Sequence, residues 1–305
     1  MRVAVVTRFG GPEVLVPSEA PDPAAGPGEV VIDVAAADVL WVETMIRQGG
    51  GGEYFDMRPP YVPGGAVAGR VRAVGDGVDP DWLGREVVAH TGQRGGYAEQ
   101  VVVPAGGLSR VPDGLGLREA AALLHDGPTA LALFEGTQIG RGDAVLVVGA
   151  SGGLGIVSVQ LARIRDLGAD AVIDSETPDW VEQARVALGG EGADVILDNV
   201  GGRVGEAAFA AIAPGGRFSA HGTPSGQFAA IDPAEAERRG VTLRGIADVQ
   251  LSGADLKRLT EQALAEAAAG RIKPVIGQTF PLAKVADAHT AIERRVVFGK
   301  TLLLP

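Results

Sequence analysis

Four apolar residues, Val145-Leu146-Val147-Val148, run straight into Gly149-Ala150-Ser151-Gly152-Gly153-Leu154-Gly155, and a helical stretch, Ile156 to Ala162, follows. A buried strand that passes through glycines into a helix is the opening of a βαβ crossover and implies a parallel sheet. It also restricts the chemistry. Gly152 lets the backbone approach a diphosphate, Gly155 lets helix and strand pack closely, and the helix N-terminus offers amide hydrogens to negative charge. Ala150 stands in place of the usual first glycine. A glycine triplet by itself equally suits a plain tight turn. The strand before it and the helix after it favour a dinucleotide held by Ala150, Ser151, Gly152, Gly153, Leu154 and Gly155.

Further apolar runs short enough for buried parallel strands occur at Ala171 to Asp174, Ala193 to Asp198, Arg217 to Ala220 and Val241 to Ile246, with helical stretches between them. Residues 1 to about 120 are instead broken by Gly and Pro into short strands, clearest at Val30 to Ala35, Ala66 to Val74, Glu86 to Ala89 and Ala98 to Val103. Gly49 to Gly52 with Arg58-Pro59-Pro60 marks a flexible loop that could line a site. Arg118 to Phe134 is Ala/Leu-rich and interrupted at Gly127-Pro128, which predicts two short helices meeting at a bend. Ala254 to Ala269 is a helix with Leu256, Leu259, Ala263 and Ala267 on one face. Thr301 to Leu304 is too apolar to hang free, so the chain end should complete the first domain. The expected fold class is α/β: a Rossmann doubly wound parallel sheet over 122–251, and a β-rich domain made of both chain ends, 1–121 and 252–305.

The 305 residues suit two domains, and 46% hydrophobic with 21% charged residues is enough for a packed core. A net charge of −11 opposes a phosphate-binding surface, so no nucleic-acid partner is expected. The chain has no cysteine, which excludes disulfides, thiolate nucleophiles and Cys-containing zinc sites. Its four histidines, His90, His125, His221 and His289, have no metal-binding spacing, and no metal is expected. Met1 to Phe9 alternates like a strand and no run approaches the roughly 20 apolar residues of a membrane span, so a soluble, cytoplasmic protein is expected.

Gly142-Asp143, Leu146, Ala150-Ser151-Gly152-Gly153, Gly155, Gln160 and Arg163 together resemble the signature of the quinone oxidoreductase (ζ-crystallin-like) family of medium-chain dehydrogenases and reductases. Similar stretches extend along nearly the whole chain: Val42-Glu43-Thr44 with Ile46-Arg47, Pro63-Gly64 with Ala68-Gly69, Gly96-Tyr97-Ala98-Glu99, Gly127 with Thr129, Asp198-Asn199-Val200-Gly201 and Lys273-Pro274-Val275-Ile276. The resemblance implies a GroES-like catalytic domain from both chain ends, a central Rossmann domain, a homodimer, no metal, and NADPH as hydride donor, with NADH the alternative. It further implies that Asn199 and His221-Gly222 lie beside ribose and nicotinamide, Thr129 near the carboxamide, and Arg295 at the 2′-phosphate. Surface solvation is the competing account of Arg295.

Three positions depart from the family pattern: Leu40 where many relatives carry Asn, Met45 where some carry Tyr, and Ala66 where an acidic residue often follows Pro-Gly. A more apolar pocket, suited to flat hydrophobic substrates, is the expectation. A fourth departure is larger. Relatives carry roughly 20 further residues after the position of Arg163, forming the second Rossmann strand and the loop that selects the 2′-phosphate. Here Leu167-Gly168-Ala169-Asp170 follows almost at once. Loss of a central strand would leave its neighbours unpaired at about 1–3 kcal/mol per buried group, which suggests missing residues and predicts a backbone break at Ile164 to Asp166. Ala171 to Asp174 would then be the third strand. Counted along the sequence as it stands, Asp174 is instead either the ribose-binding acid of an NAD enzyme or a cap for the following helix.

The chemistry expected is hydride transfer from NADPH to a quinone or activated alkene. A quinone's developing oxyanion can be met by hydrogen-bond donors, whereas a simple ketone normally needs a Lewis acid. Tyr54, Thr129 and, less directly, Thr44 are the candidate donors, and each also suits a structural role. Asp126 reads as a helix cap before a pocket acid, and Asp143 and Asp198 as turn and strand-end residues. Two rival functions use the same residues: a zinc-free enoyl or alkenal reductase, and a non-catalytic cofactor-binding protein.

Overall fold

The computed structural model describes residues 1–52, 54–164, 170–295 and 297–305. They form two compact units, Met1–Pro128 with Gly253–Pro305, and Thr129–Ser252. The first unit begins with β1 (Arg2–Val6), β2 (Leu15–Glu19), β3 (Glu29–Val39), α1 (Trp41–Arg47), β4 (Ala66–Val74), β5 (Glu86–His90), β6 (Gln100–Pro104), β7 (Ser109–Arg110) and α2 (Leu117–Leu123). Helix α3 (Asp126–Gly136) begins in this unit and continues into the second, so the passage comes later than the composition change at 121–122 suggested. The second unit holds β8 (Val145–Val148), α4 (Gly153–Ile164), α5 (Trp180–Ala187), β9 (Ala193–Asp198), α6 (Gly202–Phe209), β10 (Ile212–Ala220), α7 (Pro233–Arg238) and β11 (Thr242–Gly245). The chain then returns to the first unit through α8 (Gly253–Ala268), β12 (Ile276–Pro281), α9 (Val285–Glu293) and β13 (Lys300–Leu304).

Alternation along the strands sorts the first unit into two packed faces. The main sheet runs β12-β13-β3-β4-β5-β7, with β6 also paired to β3. Val30, Ile32, Val67, Val87 and Leu303 face one core, while Ala36, Ala66, Ala68, Val88 and Leu302 face Ala120 and Ala121 of α2, Leu124 just after it, and Leu264 of α8. Leu302 and Leu303 thus point to opposite faces, as a period of two requires. Small residues on the helical side let α2 lie close to the sheet. The C-terminal strand is held by antiparallel pairing with β3, Leu302 opposite Asp38. The bend between α2 and α3 falls at Leu124-His125, and Gly127 serves another purpose: a Cβ there would lie 2.6 Å from the Ala263 Cβ of α8.

Among the described residues the second unit holds a four-stranded parallel sheet in the order β11-β10-β9-β8. Its core joins Ile196, Phe209, Ile212 and Phe218 to Trp180, Val181 and Leu188 of the α5 region. The expected strand at Ala171 to Asp174 is absent: the segment is irregular and Val172 is 95% exposed. A parallel strand must be covered on both faces. Here α5 packs its own apolar residues onto the sheet, and Ala171–Asp174 forms part of the connection leading to it. The backbone break predicted at Ile164 to Asp166 falls, beyond Ile164 at the end of α4, on residues outside those described.

Candidate cofactor and substrate site

Gly149 leaves β8 with φ +72°, a conformation that favours glycine, and a Cβ there would also approach Val200 Cγ2 to 2.8 Å. The Gly152 N–H reaches the Gly149 carbonyl at 3.3 Å, and the Ile156 N–H donates to the Gly152 carbonyl at 2.9 Å. The amides of Gly153, Leu154 and Gly155 therefore stand in the first turn of α4, ahead of that bond. The two key glycines do different things. A Cβ on Gly155 would lie 2.3 Å from the Gly149 carbonyl oxygen and 2.7 Å from Ala150 Cα, so Gly155 is required by strand–helix packing. A Cβ on Gly152 would meet nothing nearer than 3.7 Å, and Ala150, Ser151 and Gly152 are exposed.

The turn is tied to the ends of the next two strands. Asn199 Nδ2 donates to the Val148 carbonyl at 2.8 Å, which leaves its Oδ1 to accept from His221 Nε2 at 2.7 Å. With Nε2 donating, His221 Nδ1 accepts from Ser219 Oγ at 3.0 Å. Burial lowers the His221 pKa to about 4, so the ring is neutral at pH 7 and orients Asn199. Gly222 donates its N–H to the Asp198 carbonyl at 2.9 Å, and a Cβ there would lie 2.0 Å from the Asn199 carbonyl carbon. Asp198 ends β9: its Oδ1 accepts from the Val200 and Gly201 amides at 3.0 and 2.9 Å. Asn199, His221, Gly222 and the glycine turn are thus one connected cluster; Ser219, unmarked in the sequence, completes it. Asp174 makes a local turn, accepting from the Glu176 N–H at 2.9 Å, and Asp143 accepts from the Gly140 N–H at 2.9 Å and pairs with Arg217 at 2.8 Å.

Thr129 is half-buried on α3 in this same unit. The other candidates belong to the first unit. Tyr54 is 57% exposed in the glycine-rich loop, which argues against a packing anchor. Arg295 is exposed just after α9 with φ +53°. Thr44 is withdrawn as a donor: it is buried, and its hydroxyl donates to the Trp41 carbonyl at 2.7 Å. Asp126 sends its carboxylate to Lys300 Nζ at 2.9 Å instead of capping α3, and Lys300 also lies 2.8 Å from Asp38. Burial, with the neighbouring Asp126 charge, pushes Asp38 up to about 7 against the pull of Lys300.

A second buried network holds Leu40 and the Pro63-Gly64 turn. Arg47 Nη1 lies 3.4 Å from His289 Nδ1, and because a guanidinium only donates, His289 Nε2 carries the hydrogen toward Tyr97 Oη at 3.2 Å. Tyr97 in turn donates to Glu43, which also accepts from the Leu40 N–H and the Gly65 N–H, both at 2.9 Å. Burial raises Glu43 to about 7 against these three donors. Among the described residues, no three His, Cys, Asp or Glu side chains are placed to share a metal ion, and no helix is long and apolar enough to cross a membrane.

Compared with known proteins, the chain is 31% identical to the quinone oxidoreductase of Rattus norvegicus, over 100% of this chain and 98% of that protein. The chain belongs to the quinone oxidoreductase family of the medium-chain dehydrogenases and reductases. That alignment spans 327 positions against 305 residues, so the relative carries internal residues this family member lacks. Residues 26–113 match the alcohol dehydrogenase GroES-like domain and 167–303 the family described as zinc-binding dehydrogenase. The first unit is the GroES-like domain and the second is Rossmann-like. Two solved structures, each 30% identical and matched over the full length of both chains, are a mycobacterial protein complexed with NADPH (TM-score 0.89) and an NAD-dependent alcohol dehydrogenase (TM-score 0.88).

Proposed function

We propose that this chain is an NADPH-dependent reductase that delivers a hydride to a quinone, or to a similarly activated carbonyl or alkene, without zinc. The observation that carries the proposal is the turn from Gly149 to Gly155, closed by contact at Gly155 and open at Gly152. That opening fits a diphosphate, and Ala150, Ser151, Gly152, Gly153, Leu154 and Gly155 would hold it with the first-turn amides of α4. Asn199, His221 and Gly222 would border the ribose and nicotinamide, and Arg295 the 2′-phosphate. When bound, the dinucleotide supplies the hydride. The relatives' names, and the neighbour solved with NADPH, support this reading.

The chain's own residues would orient the reaction more than they would transfer protons. His221 is neutral and engaged on both ring nitrogens, so it holds Asn199 in register. Tyr54 and Thr129 are the donors proposed for the oxyanion that develops on the substrate. Leu40, buried where many relatives carry Asn, is the apolar side chain proposed to lie beside a flat ring, whereas Ala66 packs against α2 and α8 in the core. The protein is proposed to act as a cytoplasmic homodimer on a small-molecule quinone or enone. Titration of NADPH and NADH, followed by turnover with a quinone panel and with enoyl thioesters, tests the assignment. Saturable binding and faster turnover of quinones are expected. Binding of neither dinucleotide would remove the proposal, and turnover of thioesters alone would reassign the substrate.

A further inference from the structure

A cavity of about 410 Å³ lies between α8, β5, β7 and the Gly106-Gly107 loop, and every residue lining it belongs to the first unit. None of its wall residues comes from the glycine turn or the Asn199 cluster. Its volume is in the range of small-ligand sites. Among the described residues, two of its polar side chains lack partners. Thr260 is 3% exposed, and its hydroxyl oxygen has no hydrogen bond; His90 Nε2 is likewise buried and unpaired.

Such groups call for an explanation, because a buried polar atom without a partner destabilises the fold. Thr260 had an easy alternative. Elsewhere in this chain Thr137, just past α3, and Ser158 and Thr290, within α4 and α9, donate to the carbonyl four residues back, at 2.6, 2.9 and 2.8 Å. Thr260, in the middle of α8, makes no such bond and instead lines the cavity.

The remaining walls indicate what fits. Val88, Leu124 and Leu256 are apolar. The first turn of the sixteen-residue helix α8 forms one side, and a helix N-terminus favours negative charge. Lys257 brings a cation to the rim, where its Nζ contacts the Gly106 carbonyl at 3.4 Å. Asp255, the acid of that turn, is not part of the lining and lies 3.4 Å from Arg258.

We infer that this cavity binds a small organic carboxylate, its apolar body against Val88, Leu124 and Leu256 and its charge met by Lys257, Thr260, His90 and the start of α8. Octanoate, 1-octanol and inorganic phosphate are the probes, titrated calorimetrically into the full-length protein. Octanoate should bind with a Kd on the order of 0.1–1 mM, and the other two at least roughly tenfold more weakly. Lys257→Glu should weaken octanoate roughly tenfold, and Thr260→Val by roughly three- to tenfold. Thr260→Val should also keep or raise the melting temperature of the free protein, since it removes an unpaired hydroxyl. Dinucleotide affinity should be unchanged in both variants, which separates this site from the proposed cofactor turn. Absence of octanoate binding, equal binding of 1-octanol, or octanoate binding that survives both substitutions overturns the inference.

Discussion

Replacing Gly152 and Gly155 separately by alanine should divide function from folding. At Gly155 the new methyl would sit 2.3 Å from the Gly149 carbonyl oxygen and 2.7 Å from Ala150 Cα. Both obstacles are backbone, so β8 and α4 must move apart, at the roughly 1–3 kcal/mol typical of overpacking. At Gly152 the nearest atom is 3.7 Å away, an ordinary contact, and φ lies outside the left-handed region. The fold should change by no more than about 0.5 kcal/mol, with some gain from a stiffer unfolded chain. The methyl would nevertheless occupy the approach to a diphosphate. Loss of one charge-assisted bond there is worth about 1.5–3 kcal/mol, or roughly 10- to 100-fold in Kd. Thermal melts and NADPH titration by fluorescence measure the two effects. Gly155→Ala should melt earlier, whereas Gly152→Ala should melt like the parent and bind poorly. A Gly152→Ala protein with parental NADPH affinity would refute the cradle.

The remaining predictions concern single side chains. His221→Ala should weaken dinucleotide binding roughly three- to tenfold by releasing Asn199, and the parent's affinity should not change between pH 6 and 8 through His221, which protonates only near pH 4. Asp38 has its carboxyl raised to about 7 in the folded state, so its contribution is intact below the ordinary carboxylate pKa of about 3.9 and is lost as pH rises through 7. The melting temperature of Asp38→Asn relative to the parent should therefore climb between pH 4 and 7; parallel curves would contradict this. Thr44→Val should cost about 1 kcal/mol of stability with kcat/KM unchanged, whereas Tyr54→Phe should leave the melt unchanged and lower kcat/KM roughly tenfold or more, and equal rates for Tyr54→Phe and parent would remove Tyr54 as a donor.

Local pattern was enough to mark most of the strands. β4 and β9 run from Ala66 to Val74 and from Ala193 to Asp198, the bounds that alternation and apolar runs suggest, and the apolar C-terminus does return to β3. Ala171 to Asp174 is as apolar as its neighbours, yet it forms no strand. Composition reports that a segment could be buried in a sheet, but whether a paired neighbour and two covering layers exist is decided by tertiary structure. The glycine turn was readable because its backbone geometry and packing are local. The Arg47–His289–Tyr97–Glu43 chain was not: Glu43 and Tyr97 stood in family-like motifs, but only folding brings His289 beside them, 242 positions from Arg47.

Taken together, these networks bear on the proposed chemistry. In the first unit Thr44 is tied to its own helix, Glu43 and Tyr97 to a buried chain, and Asp126 to Lys300 and thereby to Asp38. Most of the groups that could have served as acids are already engaged, and the position of Leu40 adds apolar surface where a polar residue is usual. On the proposed reading, an active site that drew on these surroundings would have little to offer a substrate that must be protonated as it is reduced. It would be better matched to an acceptor whose product anion is already stabilised by conjugation, as a quinone's is, with a single donor, proposed to be Tyr54 or Thr129, to steady it. Simple ketones should accordingly be turned over at least roughly a hundredfold more slowly than quinones of similar size, a gap of about 3 kcal/mol in the barrier. Comparable rates for the two classes would show that a stronger acid than any of these residues takes part.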